Sequence, residues 1–205
     1  MINDIRLTKE NYLLTYFLIA ITGMNYISAG DGFMIIGFIV SLFLFFRRGL
    51  QYSNIIVYYI SFFIILHILQ FLILGGFEPT TMLKIVMRIL IAYHILSYVG
   101  LSFIQCYINV IYFFSLISFV FYFSSLLFPS IANFFIEVIT PYTQPLFYQQ
   151  ADFQDMIIFN FGAQEFSRNS GPFWEPGAFA GFLCIAIMFE YLVNNKIFNT
   201  TRLAI

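Results

Sequence analysis

Two cations stand where this chain has least room for charge: Lys84 and Arg88, four residues apart in an apolar run. A separation of four puts both on one face of a helix. Each ionised side chain costs roughly 2.5–3.5 kcal/mol near the centre of a bilayer. A helix beginning near Met82 would hold them about 3 and 9 Å inside its start. Stacked cations at that depth suit a lipid-linked phosphate or pyrophosphate, whose charge lies at the headgroup level while its tail stays in hydrocarbon. The competing reading is snorkelling, in which both stems reach up to the interface and meet any anionic headgroup. Lys84 satisfies either reading, whereas the deeper Arg88 is harder to account for by snorkelling alone.

Residues 168–183, RNSGPFWEPGAFAGFL, are the second constellation. Pro176 fits the first turn of a helix, where no amide donor is lost, with Glu175 at or beside the cap. The start of that helix offers partial positive charge to an anion. Arg168 could grip phosphate bidentately, and Trp174 could stack on the apolar face of a sugar or anchor in the interfacial aromatic belt. Glu175 could accept a proton from a hydroxyl, cap the helix, or pair with Arg168. Ala178, Ala180 and Gly181 are small enough to admit another helix or a lipid chain.

Other polar groups in apolar runs read as structural. His94 is roughly 120° around the helix from Arg88, so it does not extend the cationic face. His67 stands alone in its run, and both histidines read as packed, hydrogen-bonded side chains. Glu190 reads as a snorkelling or interhelical residue. Cys106 and Cys184 form no CxxC or Cys/His cluster, so neither disulfide, metal nor cofactor is expected.

The elements that must position these groups follow from composition. The 205 residues are 61% hydrophobic and 9% charged, with 29 Phe and 14 Tyr, and the mean hydropathy is +0.89. A soluble domain carries about 25% charged residues. So little charge cannot cover a water-exposed surface, and the fitting solvent is a lipid bilayer. A net charge of -1 lacks the basic footprint of nucleic-acid binding.

Spanning helices need about 20 mostly apolar residues. Six runs qualify, at roughly 11–29, 33–46, 53–74, 82–104, 107–128 and 177–194, the second being short. Breaks fall at Gly30-Asp31-Gly32, Arg47-Arg48-Gly49, the Gly75–Pro79 region, the Gln105-Cys106 junction, and a long segment opened by Pro129 and closed by Pro172 and Pro176. The first run ends near Ser28-Ala29-Gly30, a place where a signal peptide could be cleaved, but its length and the later runs favour a retained span. The sequence thus predicts an all-α polytopic membrane protein: helices one to five in 1–128, an extracytoplasmic loop in 129–176, and the sixth helix with a tail in 177–205.

Lys and Arg favour cytoplasmic loops. If six spans alternate, Arg6, Lys9, Arg47, Arg48, Lys196 and Arg202 share one side, which places both termini in the cytoplasm. Asp31, Glu78, Glu137, Asp152, Asp155, Glu165 and Glu175 then face outward with Arg168. The long outer loop is the expected working surface, and residues 131–139 within it read as a short interfacial or re-entrant helix.

Arg-x-x-Gly-x-Phe-x-Glu-Pro-Gly, from Arg168 to Gly177, directly before a span and after an outer loop, resembles the O-antigen polymerase and ligase superfamily of bacterial surface polysaccharide assembly. The hydrophobic spans before it, with Lys84 and Arg88 in the fourth, fit the same layout. The likeness is sharp over about ten residues and diffuse elsewhere. It implies a metal-independent, multi-pass glycosyltransferase of the bacterial cytoplasmic membrane that uses undecaprenyl-pyrophosphate-linked glycans at the outer face. Within that likeness Lys84, Arg88 and Arg168 would steady the leaving pyrophosphate, Trp174 would contact sugar, and Glu175 would serve as base. Members of the superfamily usually have ten or more spans, so the chain resembles an amino-terminal half. A missing carboxy-terminal half or other polysaccharide-assembly proteins are its expected partners besides the bilayer. A carrier or flippase half for an anionic lipid or solute, and a non-catalytic membrane scaffold, are the alternatives from other classes.

Overall fold

A computed structural model describes residues 7–24, 31–75, 79–143, 158–161, 169–173 and 175–194. Among these residues all extended regular structure is helical. In chain order the helices are α1 (Lys9–Gly23), α2 (Asp31–Arg47), α3 (Asn54–Leu74), α4 (Pro79–Val99) and α5 (Ser102–Leu127). There follow α6 (Pro129–Phe134), one π-helical turn (Phe135–Ile139), α7 (Thr140–Thr143) and α8 (Pro176–Asn194). Met24 and Phe173 form an isolated antiparallel bridge.

Aromatic and β-branched residues are mediocre helix formers in water. In hydrocarbon, however, every backbone donor and acceptor must be satisfied within the segment, and a helix achieves this. Side-chain caps assist at two starts: Thr8 Oγ1 accepts from the Asn11 N–H at 3.2 Å, and Ser53 Oγ accepts from the Ile56 N–H at 3.4 Å. Among the described residues four helices are long and apolar enough to cross a membrane, over Asn54–Ile73, Pro79–Val99, Ser102–Leu127 and Pro176–Val193. The chain is therefore a multi-pass membrane protein. The shorter α2 has 17 residues. The first expected span, 11–29, is cut short: α1 has 15 residues and ends at Gly23, because Met24 is extended and bridges to Phe173; residues 25–30, with Ser28-Ala29-Gly30, lie outside the described residues.

The fourth and fifth spans also differ from the sequence expectation. The fourth span runs from Pro79 rather than Met82 and stops at Val99, not near residue 104. Gly100 takes φ +64°, a left-handed conformation that costs glycine little, while its N–H still bonds to the Leu96 carbonyl at 2.9 Å. The break between spans four and five thus falls at Gly100-Leu101, and Gln105-Cys106 lies inside α5.

The chain divides into two compact units, Gly32–Gly100 and Met1–Asp31 with Leu101–Ile205. In the second, α5 is the central helix. Tyr107 packs on Phe182 and Phe189, and Phe103 on Phe189, so α5 and α8 run antiparallel. Ile19, Ala20 and Met24 join Tyr107, Ile111 and Phe114 around Phe173 and Phe179 in one buried cluster. At Gly23 a Cβ would sit 2.6 Å from the Phe182 ring and 2.8 Å from that of Phe173, a contact only glycine allows. Beyond the other end of α5, Phe159 and Phe161 pack with Phe121, Phe135 and Ala132. The expected short helix at 131–139 is present within the helical stretch α6, the π turn and α7.

In the other unit, α3 is apolar all round and no residue of its spanning window is buried. Such a helix presents lipid-compatible side chains in every direction. A tight turn joins α2 to the loop before α3: the Gly49 N–H bonds to the Phe46 carbonyl at 2.9 Å and the Leu50 N–H to the Phe45 carbonyl at 3.3 Å. These two bonds satisfy carbonyls that the end of α2 would otherwise orphan. Arg48 then lies over the Tyr98 ring at 4.5 Å.

Candidate functional site

In α4, Lys84 and Arg88 are both half-buried. Because the helix starts at Pro79, they lie about 7.5 and 13.5 Å from its beginning at 1.5 Å per residue. Both are deeper than the sequence boundaries implied. Arg88 falls beside the midpoint of a 21-residue helix, and its Nε is buried with no hydrogen-bond partner among the described residues. A guanidinium donor in that condition carries a desolvation cost that an anion or water would relieve. Helical side chains lean toward the N-terminus of their helix, so both cations tilt toward the Pro79 end.

His94, six residues on from Arg88, is held in a closed hydrogen-bond chain. Its Nδ1 lies 3.1 Å from Ser41 Oγ, its Nε2 lies 2.7 Å from the Tyr52 hydroxyl, and Ser41 Oγ donates to the Phe38 carbonyl at 3.0 Å. One assignment satisfies every group: Tyr52 donates to Nε2, Nδ1–H donates to Ser41, and Ser41 donates to Phe38. Desolvation by packing, and secondarily the neighbouring Tyr93, raise the Tyr52 phenol above its ordinary value, which suits the donor role. Phe45 and Tyr52 enclose the ring at 4.9 and 5.6 Å between centroids. His94 is a buried structural histidine, as its isolation in the sequence implied. His67 lies against Phe63 at 4.3 Å.

In the other unit α8 starts at Pro176, and the Glu175 carbonyl accepts from the Phe179 N–H at 3.2 Å. Glu175 is thus the capping residue expected from the sequence. Its exposed carboxylate lies over Gly177, with Oε1 3.6 Å from where a Cβ would stand. A carboxylate at that position is favoured by the helix dipole. Among the small residues of α8, Ala178 packs on the buried cluster, whereas Gly181 meets nothing within 4 Å.

The segment before α8 is fixed by groups the sequence reading did not single out. Asn169 Nδ2 donates to Ser118 Oγ at 3.1 Å, and Asn169 Oδ1 accepts from the Gly171 N–H at 2.9 Å. Asn160 Nδ2 donates to the Phe173 carbonyl at 3.0 Å, and the Asn160 N–H donates to the Gly171 carbonyl at 2.7 Å. Gly171 has φ +55° and lies under the Phe179 ring, 3.2 Å from where a Cβ would stand, so both conformation and space call for glycine. The only available clue to Asn160 and Asn169 was amide side chains in an otherwise apolar, aromatic stretch.

These contacts set the depth of the motif. Ser118 lies well inside the 26-residue α5, about 13.5 Å short of its Leu127 end. Pro176 precedes Phe182 by about 9 Å of helix, and the same distance along α5 from Tyr107 reaches residue 113. The capped start of α8 therefore meets α5 near mid-length, recessed below its end. Lys84 and Arg88 belong to one unit and Glu175 to the other, and Arg168 and Trp174 lie outside the described residues. Glu190, on α8, is buried, which fits the interhelical reading.

No protein-family model matches this chain, and neither a curated protein nor a solved structure matches it. The likeness carried by residues 168–177 rests on those residues alone.

Proposed function

We propose that this chain is a membrane glycosyltransferase of the O-antigen polymerase and ligase type, acting on undecaprenyl-pyrophosphate-linked glycans at the outer face of the bacterial cytoplasmic membrane. The observation that carries the reading is Arg88: a cation near the midpoint of an apolar spanning helix, its Nε buried and unpartnered among the described residues, one turn from Lys84. Such a charge is retained at a cost and calls for an anionic ligand. A phosphorylated lipid brings the anion and the hydrocarbon tail together. The recessed start of α8 supports the same reading, since the first turn of a helix leaves backbone donors open to a ligand.

In the proposed reaction an acceptor hydroxyl oxygen bonds to the anomeric carbon of the donor sugar as the bond from that carbon to the pyrophosphate oxygen breaks. The bonding pair leaves with the lipid pyrophosphate. Lys84 and Arg88 would stabilise that growing negative charge; the resemblance assigns Arg168 to the same charge, Glu175 to the hydroxyl proton and Trp174 to a sugar face.

The test is surface-glycan length in cells carrying Arg88→Ala, Arg168→Ala or Glu175→Ala, with membrane insertion checked in parallel. Each substitution is expected to shorten or abolish the glycan while the protein stays inserted. Unchanged glycan in all three inserted variants would overturn the proposal. Lys84→Gln with Arg88→Gln leaving every phenotype intact would point to a scaffold instead.

A further inference from the structure

A second polar-apolar site lies in the groove between α1 and α5, in the unit that does not carry the α4 cations. The groove is open, with a volume of about 610 Å³, and is lined by Lys9, Tyr12 and Tyr16 of α1 and by Asn109, Phe113 and Phe114 of α5. That volume lies within the range of about 300–1,000 Å³ typical of small-molecule sites. Lys9, Tyr12 and Tyr16 recur at helical spacing, so one face of α1 supplies a wall about 10 Å long. Its polarity is graded. Exposed Lys9 stands at the start of α1, Tyr12 and Asn109 follow one turn further in, and Tyr16 stacks on Phe114 at 5.8 Å beyond them.

The polar middle is built rather than incidental. Gln105 Nε2 donates to Asn109 Oδ1 at 3.2 Å, and Asn109 Nδ2 donates to the Tyr12 hydroxyl oxygen at 2.6 Å. With its oxygen accepting, the hydrogen of Tyr12 is the donor left to serve the groove. A relay of three side chains thus ends in an O–H donor one helical turn from an ammonium, above an aromatic trough. An ammonium and a hydroxyl complement a phosphate, and the trough complements a hydrocarbon chain.

We propose that this groove binds one anionic phospholipid, its phosphate on Lys9 and Tyr12 and an acyl chain along Tyr16, Phe113 and Phe114. The proposal uses none of the residues assigned to the lipid-linked glycan and does not rest on that function. Native mass spectrometry of the full chain in mild detergent tests it, with phosphatidylglycerol and phosphatidylcholine of identical chains added in turn, and inorganic phosphate as the third probe. One phosphatidylglycerol should be retained in preference to phosphatidylcholine. Lys9→Gln should lower that preference about fivefold, the weight of one lysine beside an anionic surface, and Lys9→Arg should keep it. Tyr12→Phe, which preserves the ring, should lower it as well. Equal retention of the two lipids, or an unchanged preference in Lys9→Gln, would overturn the proposal. Displacement of the lipid by inorganic phosphate alone would also overturn it, by showing a small-anion site in place of a lipid site.

Discussion

His94 and Asn160 illustrate how polar side chains earn a place in an apolar protein. Tyr52 supplies the hydrogen that His94 Nε2 accepts, so Tyr52→Phe leaves a buried acceptor unpaired. The expected loss is about 1–3 kcal/mol, read as a lower unfolding midpoint in detergent, with the same loss whether or not substrate is present. Asn160→Ala removes the donor to the buried Phe173 carbonyl, at a similar expected cost of about 1–3 kcal/mol. Trp174, the single tryptophan, follows Phe173 directly, and its emission wavelength should shift in that variant. Lys84, Arg88 and the Glu175-Pro176 helix start were legible in the sequence because their signals are local: a charge in an apolar run and a proline after a cap. Asn169 was not, because its partner Ser118 lies 51 residues away and nothing in the intervening sequence announces the pair.

At the scale of elements, the join of α1 and α8 depends on the missing side chain of Gly23. Gly23→Ala would press a methyl group into the Phe182 and Phe173 rings and should cost about 1–3 kcal/mol by overpacking. Gly181→Ala, whose added methyl meets open space, should stay within about 0.5 kcal/mol of the parent. Thermal unfolding of the two variants side by side separates packing from any general effect of alanine. Helix existence was readable from apolar run length, but packing partners were not. In a bilayer, lipid-facing and protein-facing positions are both apolar, so periodicity cannot tell the face of α5 that meets Tyr16 from the face that meets lipid. Gly100 carries a weak signal for a related reason: it stands between Val99 and Leu101 in an apolar run, with only uncharged Ser97 and Ser102 near it and no proline to mark a turn.

For the molecule as a whole, the alternation inferred from Lys and Arg makes a prediction about sides. With exposed Cys184 replaced by serine, Gln51→Cys and Tyr142→Cys each place a thiol on an exposed residue outside the four long helices. A membrane-impermeant maleimide should label Tyr142→Cys in intact cells and Gln51→Cys only after permeabilisation. Labelling of both from the same side would refute the proposed orientation. The pairing of α1 with α5 and α8 also sets an order of assembly. The Gly32–Gly100 unit is continuous in the chain, so it can close while translation proceeds. The other unit draws on both ends of the described chain, and α1 must wait through about 160 residues of synthesis before Phe182 arrives to fill the notch at Gly23. During that interval the Tyr107 hydroxyl lacks the Phe182 carbonyl to which it finally donates, leaving the nascent protein half-zipped until α8 enters the lipid.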